Sequence, residues 1–301
     1  MPKDDAPFLA RLRTALLVRT VCRADDDAGA AAALAGLPPL GGDLPAPRPA
    51  GIVLTSCDDG YFRRYGRHLA RSVLRRSPDQ ACHLHLVDPT PASLALLREL
   101  AAEGAFSFSS ERLAAAAAPV RTTLGRYIIC SRFARVHQLL AATGSPVLML
   151  DADSLVRLPL TPLLAGLGGC DAALFLRPGS RDPCRRVLGA ALAVMPTDLG
   201  RRFARDCATA LALAIRRGPH LAADQLVLYR AWRWYRRNRP AFRCAALARE
   251  HSDWRYGEAS PVWHAKGKRK RTLAAVFGRL EAGVALDEAL GAAPPAGAGP
   301  R

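Results

Sequence analysis

Residues 147–150, Val-Leu-Met-Leu, run straight into Asp151-Ala152-Asp153. Four apolar residues after Ser145-Pro146 fit a strand buried on both faces, the kind found inside a parallel sheet. Two carboxylates one residue apart at its carboxyl end would stand at the sheet rim, where open α/β folds bind ligands. Two like charges are costly to bury together unless a cation neutralises them. Hard oxygen ligands on a short loop suit Mg²⁺ or Mn²⁺, which keeps part of its water shell and takes further ligands from phosphates. The competing reading is an ordinary strand end followed by a solvated acidic turn.

A second segment bears on that choice. Residues 264–270 read His-Ala-Lys-Gly-Lys-Arg-Lys and contain the pattern His-x-x-Gly-x-x-Lys. The chain holds 43 Lys and Arg, but lysine stands only at 3, 266, 268 and 270. Concentrating ammonium groups here points to phosphate, which a compact point charge serves well. Gly267 would let the backbone approach a phosphate closely, and His264 as neutral imidazole could join a metal shell. A basic surface loop would look similar.

Elsewhere the pattern alternates. Apolar runs at 51–56, 83–87, 147–150, 171–176 and 190–195 predict strands; the spacing predicts helices at 61–76, 91–103, 131–143 and 198–217. Together they predict an α/β fold with a mixed, mostly parallel sheet flanked by helices. His83 and His85 alternate with leucine and read as strand residues rather than ligands. The eight cysteines form no Cys-x-x-Cys pair, which excludes a zinc ribbon and a disulfide scaffold and fits a cytoplasmic protein. The apolar stretch near Phe8 is too short and too charged for a span or a signal segment. It could form an amphipathic helix on the core or on the inner face of a membrane. The formal charge of +17 would attract anionic small molecules, anionic lipid or nucleic acid. Residues 230–239 mix tryptophan, tyrosine and arginine, yet no nucleic-acid motif accompanies them, so no nucleic-acid partner is expected.

Taken together, the two motifs resemble glycosyltransferase family 8, the glycogenin and lipopolysaccharide galactosyltransferase type, and related bacterial nucleotide-sugar transferases. The resemblance runs from about Gly51 to Lys270. It implies a single GT-A domain over 51–283; proline and glycine content makes 1–50 an extension and linker and 284–301 a tail expected to be partly disordered. It further implies a Mn²⁺ (or Mg²⁺) site at Asp151, Asp153 and His264, with Gly267 and Lys270 on the donor diphosphate. Ile52–Tyr61 is similar to the family's first strand and nucleoside-binding turn, placing Asp58 and Tyr61 near the base. Asp224-Gln225 resembles the pair facing the reacting sugar. Either Arg135, sixteen residues before Asp151, or Arg132, one helical turn earlier, would reach donor phosphate or sugar. The implied reaction moves a hexose from a nucleotide-diphospho-sugar, most simply a UDP-sugar, to a glycan, lipid-linked or protein acceptor with retention of configuration.

One position departs from the family. Where relatives carry Asn-Ala-Gly or Asn-Ser-Gly before a strand, this chain has Gly189-Ala190-Ala191, so one sugar contact is unaccounted for. Two other functions compete. An apolar strand ending in Asp-x-Asp also opens haloacid-dehalogenase phosphatases, but those place the motif early and follow it with Thr or Val two residues on, where Leu155 stands here. The other is a non-enzymatic basic protein that binds nucleic acid or membranes.

Overall fold

The structure, a computed structural model, describes residues 8–113, 123–219, 222–265 and 270–291, the side chains of 270–272 excepted. Two helices, α1 (Phe8–Ala24) and α2 (Asp27–Leu34), precede the first strand, β1 (Ile52–Asp58). Next comes a helical stretch made of α3 (Asp59–Tyr61), a π-helical turn over Phe62–Gly66, and α4 (Arg67–Arg76). The chain then alternates through β2 (Ala81–Val87), α5 (Pro91–Glu103), β3 (Phe106–Glu111), α6 (Leu124–Thr143) and β4 (Val147–Leu150). After the acidic turn come β5 (Ser154–Val156), α7 (Thr161–Ala165), β6 (Ala172–Leu176), β7 (Val187–Val194), α8 (Asp198–Arg217) and α9 (Ala223–Asn238). Last are β8 (Cys244–Ala246), β9 (Val262–His264), α10 (Lys270–Glu281) and α11 (Leu286–Gly291).

Seven strands form one sheet in the order β3-β2-β1-β4-β7-β6-β8. β1 to β4 run parallel, and β7 is antiparallel to both β4 and β6. The reversal follows from the connection 177–186 between β6 and β7, which is too short to carry a crossover helix back to a parallel start. Alternate residues of each central strand serve opposite faces. Ile52, Leu54, Val147 and Met149 pack under α6, α8 and α9, while Val53, Leu148 and Leu150 pack under α4, α5 and α7. β4 thus reads as a continuous apolar run because it is covered on both sides.

Local chemistry sets the helix ends. Thr90, Thr123 and Thr197 are the N-caps of α5, α6 and α8, each side chain accepting from a backbone N–H three residues on. α6 and α8 end on Gly144 and Gly218, both in the left-handed conformation that glycine adopts without strain. β1 ends on Asp58, whose carboxylate caps the following helix by accepting from the Tyr61 N–H at 2.8 Å.

α1 and α2 dock on the helical layer, where Val18, Cys22 and Leu37 join the core. Asp25, just after α1, pairs with Arg202, Arg205 and Arg239. At the other end, α11 begins within the segment expected as a tail and buries Leu286, Ala289 and Leu290 against α10; residues from 292 lie outside the described ones.

A second, two-stranded ladder positions the site. β5 runs antiparallel to β9 with Ser154 opposite His264 and Leu155 opposite Trp263. The Ala265 N–H donates to the Asp153 carbonyl at 3.0 Å, closing the pairing one residue further. This register brings residue 264 beside the Asp151–Asp153 turn across 111 positions of sequence.

Candidate active site

Asp151 follows β4 directly, and its N–H donates to the Ala190 carbonyl at 3.0 Å. Its carboxylate is therefore held at the sheet rim beside β7. Asp153 is buried, and its Oδ2 accepts from the Tyr61 hydroxyl at 3.4 Å. His264 is also buried. Its Nε2 lies 3.7 Å from Asp151 Oδ2, and its Nδ1 lies 3.6 Å from Asp153 Oδ1 and 3.3 Å from the Ser154 hydroxyl. One ligand atom from each of Asp151, Asp153 and His264 can be chosen so that all lie within 4.8 Å of one another.

Two carboxylates and an imidazole are a donor set suited to Mn²⁺ or Mg²⁺. Octahedral coordination at about 2.0–2.1 Å puts neighbouring ligands about 3 Å apart and opposite ones about 4 Å apart. The spacings are only slightly wider, within reach of side-chain rotation, so the residues fit one shared ion. The Ser154 hydroxyl on Nδ1 orients the ring and leaves Nε2 for a metal.

The three residues border a cavity of about 400 Å³, within the range of small-molecule sites. Ser56, Asp58 and Tyr61 line it from the β1 end, Ile128, Ile129 and Arg132 from α6, Gly189 and Ala190 from β7, and Asp224 and Gln225 from α9. Both cavity ends singled out in the sequence are thus brought to one space. Gly267 lies outside the described residues, and of Lys270 only the backbone, at the start of α10, is described.

Arg132 ties the acidic groups together. It donates to Asp151 Oδ1 through Nη1 and to Asp224 Oδ2 through Nη2, the latter at 3.2 Å. Burial pulls the Arg132 pKa down, but the two carboxylates outweigh it and hold the guanidinium above its ordinary value. Asp224 is 3% exposed, and burial raises its pKa despite the neighbouring Arg132. Its Oδ1 is buried without a hydrogen-bond partner among the described residues. A buried acceptor left unmet at a cavity wall costs free energy that a hydroxyl-bearing ligand would recover. Gln225, with its amide nitrogen turned to the Val187 and Cys184 carbonyls at 3.1 Å each, is fixed against β7 and the loop before it.

The two arginines separate cleanly. Arg132 lines the cavity. Arg135 does not; fully buried, it donates to Glu111 of β3, to Gln138 and to the Pro38 carbonyl. Three residues along an α-helix rotate a side chain by about 300°, enough to turn Arg135 from the rim towards β3. There Glu111 also lies 3.1 Å from His85 and accepts from Tyr127. The expected donor contact at Arg135 is therefore replaced by a buried structural ion pair.

Gly189, which the sequence marked only as a departure, has a steric reason. A Cβ there would stand 2.6 Å from Asp224 Oδ2 and 2.8 Å from Arg132 Nη2. The ion pair fills the space that a side chain at 189 would need. No sequence signal pointed to Ile128, Ile129 or Ser154, whose roles depend on helix rotation and on the β5–β9 register.

No protein-family model and no curated protein matches this chain. Its fold does match solved structures. The galactosyltransferase LgtC in complex with donor and acceptor sugar analogs superposes with a TM-score of 0.55 at 16% identity, covering 77% of this chain and 96% of that one. The glycosyltransferase GlyE of Streptococcus pneumoniae TIGR4 gives 0.53 at 15% identity, covering 82% of this chain and 62% of its own. The apo structure of the bifunctional glycosyltransferase WbbM gives 0.53 at 14%, covering 84% and 52%. The chain has the GT-A glycosyltransferase fold.

Proposed function

We propose that this chain is a family 8-like glycosyltransferase that moves a sugar, a hexose in the simplest case, from a nucleotide-diphosphate donor to an acceptor hydroxyl. The observation that carries the reading is the convergence of Asp151, Asp153 and His264 beside the cavity walled by Asp224 and Gln225. The likeness to LgtC, whose structure holds donor and acceptor sugar analogs, supports it. The haloacid-dehalogenase reading lacks such support, because the acidic turn meets a histidine rather than a later acidic pair. The nucleic-acid reading lacks it too. Trp232 and Trp234 of α9 are only partly exposed and pack on the core, with Arg236 over Trp232 and Arg239 over Trp234, so their faces are not free for bases.

In this reading Asp151, Asp153 and His264 hold Mn²⁺ or Mg²⁺, which when bound supplies neutralisation of the diphosphate charge. Asp58 and Tyr61 receive the nucleoside end, with UDP the expected carrier. Gly267 and Lys270 meet the diphosphate. The bond between the anomeric carbon and the diphosphate oxygen breaks, a bond to the acceptor oxygen forms, and the acceptor hydroxyl passes its proton to the departing diphosphate. Arg132 favours the ionised form of Asp224 and holds it towards the sugar, where its unmet Oδ1 can accept from a sugar hydroxyl. With its nitrogen committed to β7, Gln225 offers its carbonyl oxygen to positive charge developing on the sugar. A neutral amide is a poor nucleophile, which suits a retaining reaction that proceeds without a covalent protein intermediate.

The test is a thermal-shift series with UDP-glucose and UDP-galactose, with and without Mn²⁺. A donor at a hundred times its Kd stabilises by about 2.7 kcal/mol. Donor stabilisation that requires Mn²⁺ and disappears in Asp153→Asn supports the proposal. Equal shifts in both proteins, or none with any nucleotide-sugar, would overturn it.

A further inference from the structure

α1 carries more apolar surface than its packing explains. Its inner face, Thr14, Val18 and Cys22 at four-residue spacing, is buried on the protein. Its outer face bears Phe8, Leu9, Leu12 and Leu16, exposed by 77%, 61%, 45% and 54%. These are four of the seven large apolar side chains exposed among the described residues. At about 100° per residue they fall within an arc of about 100°. Arg19 and Arg23 continue that arc towards the helix end, and Arg13 borders it; all three are exposed. No Asp or Glu occurs between Phe8 and Ala24. Three acids follow: Asp25 is engaged by Arg202, Arg205 and Arg239, Asp26 caps α2, and Asp27 pairs with Arg205.

Exposed bulky apolar groups at one end of a helix face and arginines at the other match the chemistry of an anionic bilayer interface, acyl chains below and phosphates above. The chain's excess of basic residues, 43 against 26 acidic, adds long-range attraction to such a surface. Among the described residues no helix is long and apolar enough to cross a membrane, so contact through α1 would be peripheral.

We infer that the outer face of α1 docks this protein on an anionic lipid surface. The position of α1 gives this docking a consequence. Arg11 donates to Asp182 at 3.3 Å, Asp182 accepts from the Cys184 N–H at 3.0 Å, and the Cys184 carbonyl accepts from Gln225. The first turns of α1 are therefore joined through one short loop to the Gln225 wall of the cavity. Resting on the proposed function, this means that docking holds the sugar end of the cavity, the Gln225 wall, close to the surface that carries a lipid-anchored acceptor.

The test is co-sedimentation of the full chain with large vesicles of phosphatidylcholine alone or of phosphatidylcholine mixed with phosphatidylglycerol to make the surface anionic. Wild type should bind the anionic vesicles at least about tenfold more tightly, and added salt should weaken it. Leu12→Ser/Leu16→Ser should lower binding by about tenfold or more, because each half-exposed leucine leaving water contributes a factor of about three or more. Arg13→Gln/Arg19→Gln/Arg23→Gln should cut the preference for phosphatidylglycerol by about tenfold or more, each arginine at the surface contributing about 1 kcal/mol. Circular dichroism checks that both variants fold; all five positions are exposed. Wild type failing to bind anionic vesicles, or both variants binding like wild type, would overturn the inference. A dimer in sedimentation velocity that the serine variant loses, without vesicle binding, would assign the face to a second copy instead. Donor stabilisation by UDP-sugars with Mn²⁺ should be unchanged in both variants. Its absence from wild type alongside intact vesicle binding would remove the transferase reading and leave the docking surface standing.

Discussion

Arg132 offers a test of the site's electrostatics that does not depend on turnover. Its guanidinium lies against Asp224, which is 3% exposed, and against Asp151, whose side chain is 26% exposed. Arg132→Met fills a similar volume and removes both hydrogen bonds. Asp151 can turn to water, so its loss counts for little. Asp224 cannot, and stripping one partner from a buried pair costs about 3–5 kcal/mol. The sign with pH follows from the raised pKa of Asp224. A carboxyl whose folded pKa lies above its unfolded value destabilises the fold once it must ionise, and that penalty vanishes as pH falls towards the unfolded value near about 3.9. The deficit of Arg132→Met relative to wild type should therefore be greatest at pH 8 and shrink on acidification. Asp224→Asn in the same chain should restore most of the loss, giving a coupling of about 2 kcal/mol or more. Urea unfolding of the two single variants, the double variant and wild type measures it. Additivity within about 0.5 kcal/mol, or a deficit independent of pH, would refute the buried-pair argument.

Gly189→Ala should cost about 1–3 kcal/mol, since the added methyl must push Arg132 and Asp224 apart; denaturation at neutral pH reads it, and wild-type stability would contradict it. Tyr61→Ala should raise donor KM more than it lowers kcat, and Gln225→Ala the reverse, because only the second acts on charge that develops in the transition state. Matching losses confined to KM in both variants would erase the division between nucleoside and sugar ends. His68 and His83 are buried and held at a pKa of about 3, chiefly by desolvation. The unfolded chain protonates them from about pH 6.5 downward while the folded one does not, so each removes about 2 kcal/mol of stability by pH 5. A constant difference between wild type and His68→Gln from pH 7 to pH 5 would contradict that linkage.

What the sequence disclosed and what it hid follow from burial and chain separation. β4 was legible because both its faces are covered, leaving no polar residue in Val147–Leu150. α5 and α8 were legible to the residue because a threonine cap opens each and a glycine follows each. β3 escaped notice because Phe106–Glu111 alternates with serine, and two of those serines look inward. Ser107 and Ser109 bond the buried His83, and Ser109 also bonds His85, so the histidines read as strand residues do sit in the sheet. β5, β8 and β9 hold three residues each, too few for any periodicity, and exist only through their partners. The residue types at Asp151, Asp153 and His264 were visible, but their convergence depends on the β5–β9 register. The choice between Arg132 and Arg135 depended on helix rotation, which spacing does not fix. The N-terminal stretch read correctly as amphipathic, but only its packing separates the face docked on α8 and α9 from the face left bare.

The most direct measurement of the central claim is Mn²⁺ titration followed by electron paramagnetic resonance, with UDP present and absent. The account predicts one bound ion per chain, tightened by the nucleotide diphosphate, and lost in both His264→Ala and Asp153→Asn while circular dichroism stays unchanged. Stoichiometric Mn²⁺ that persists in both variants, or binding that UDP does not affect, would place the ion elsewhere and contradict the account.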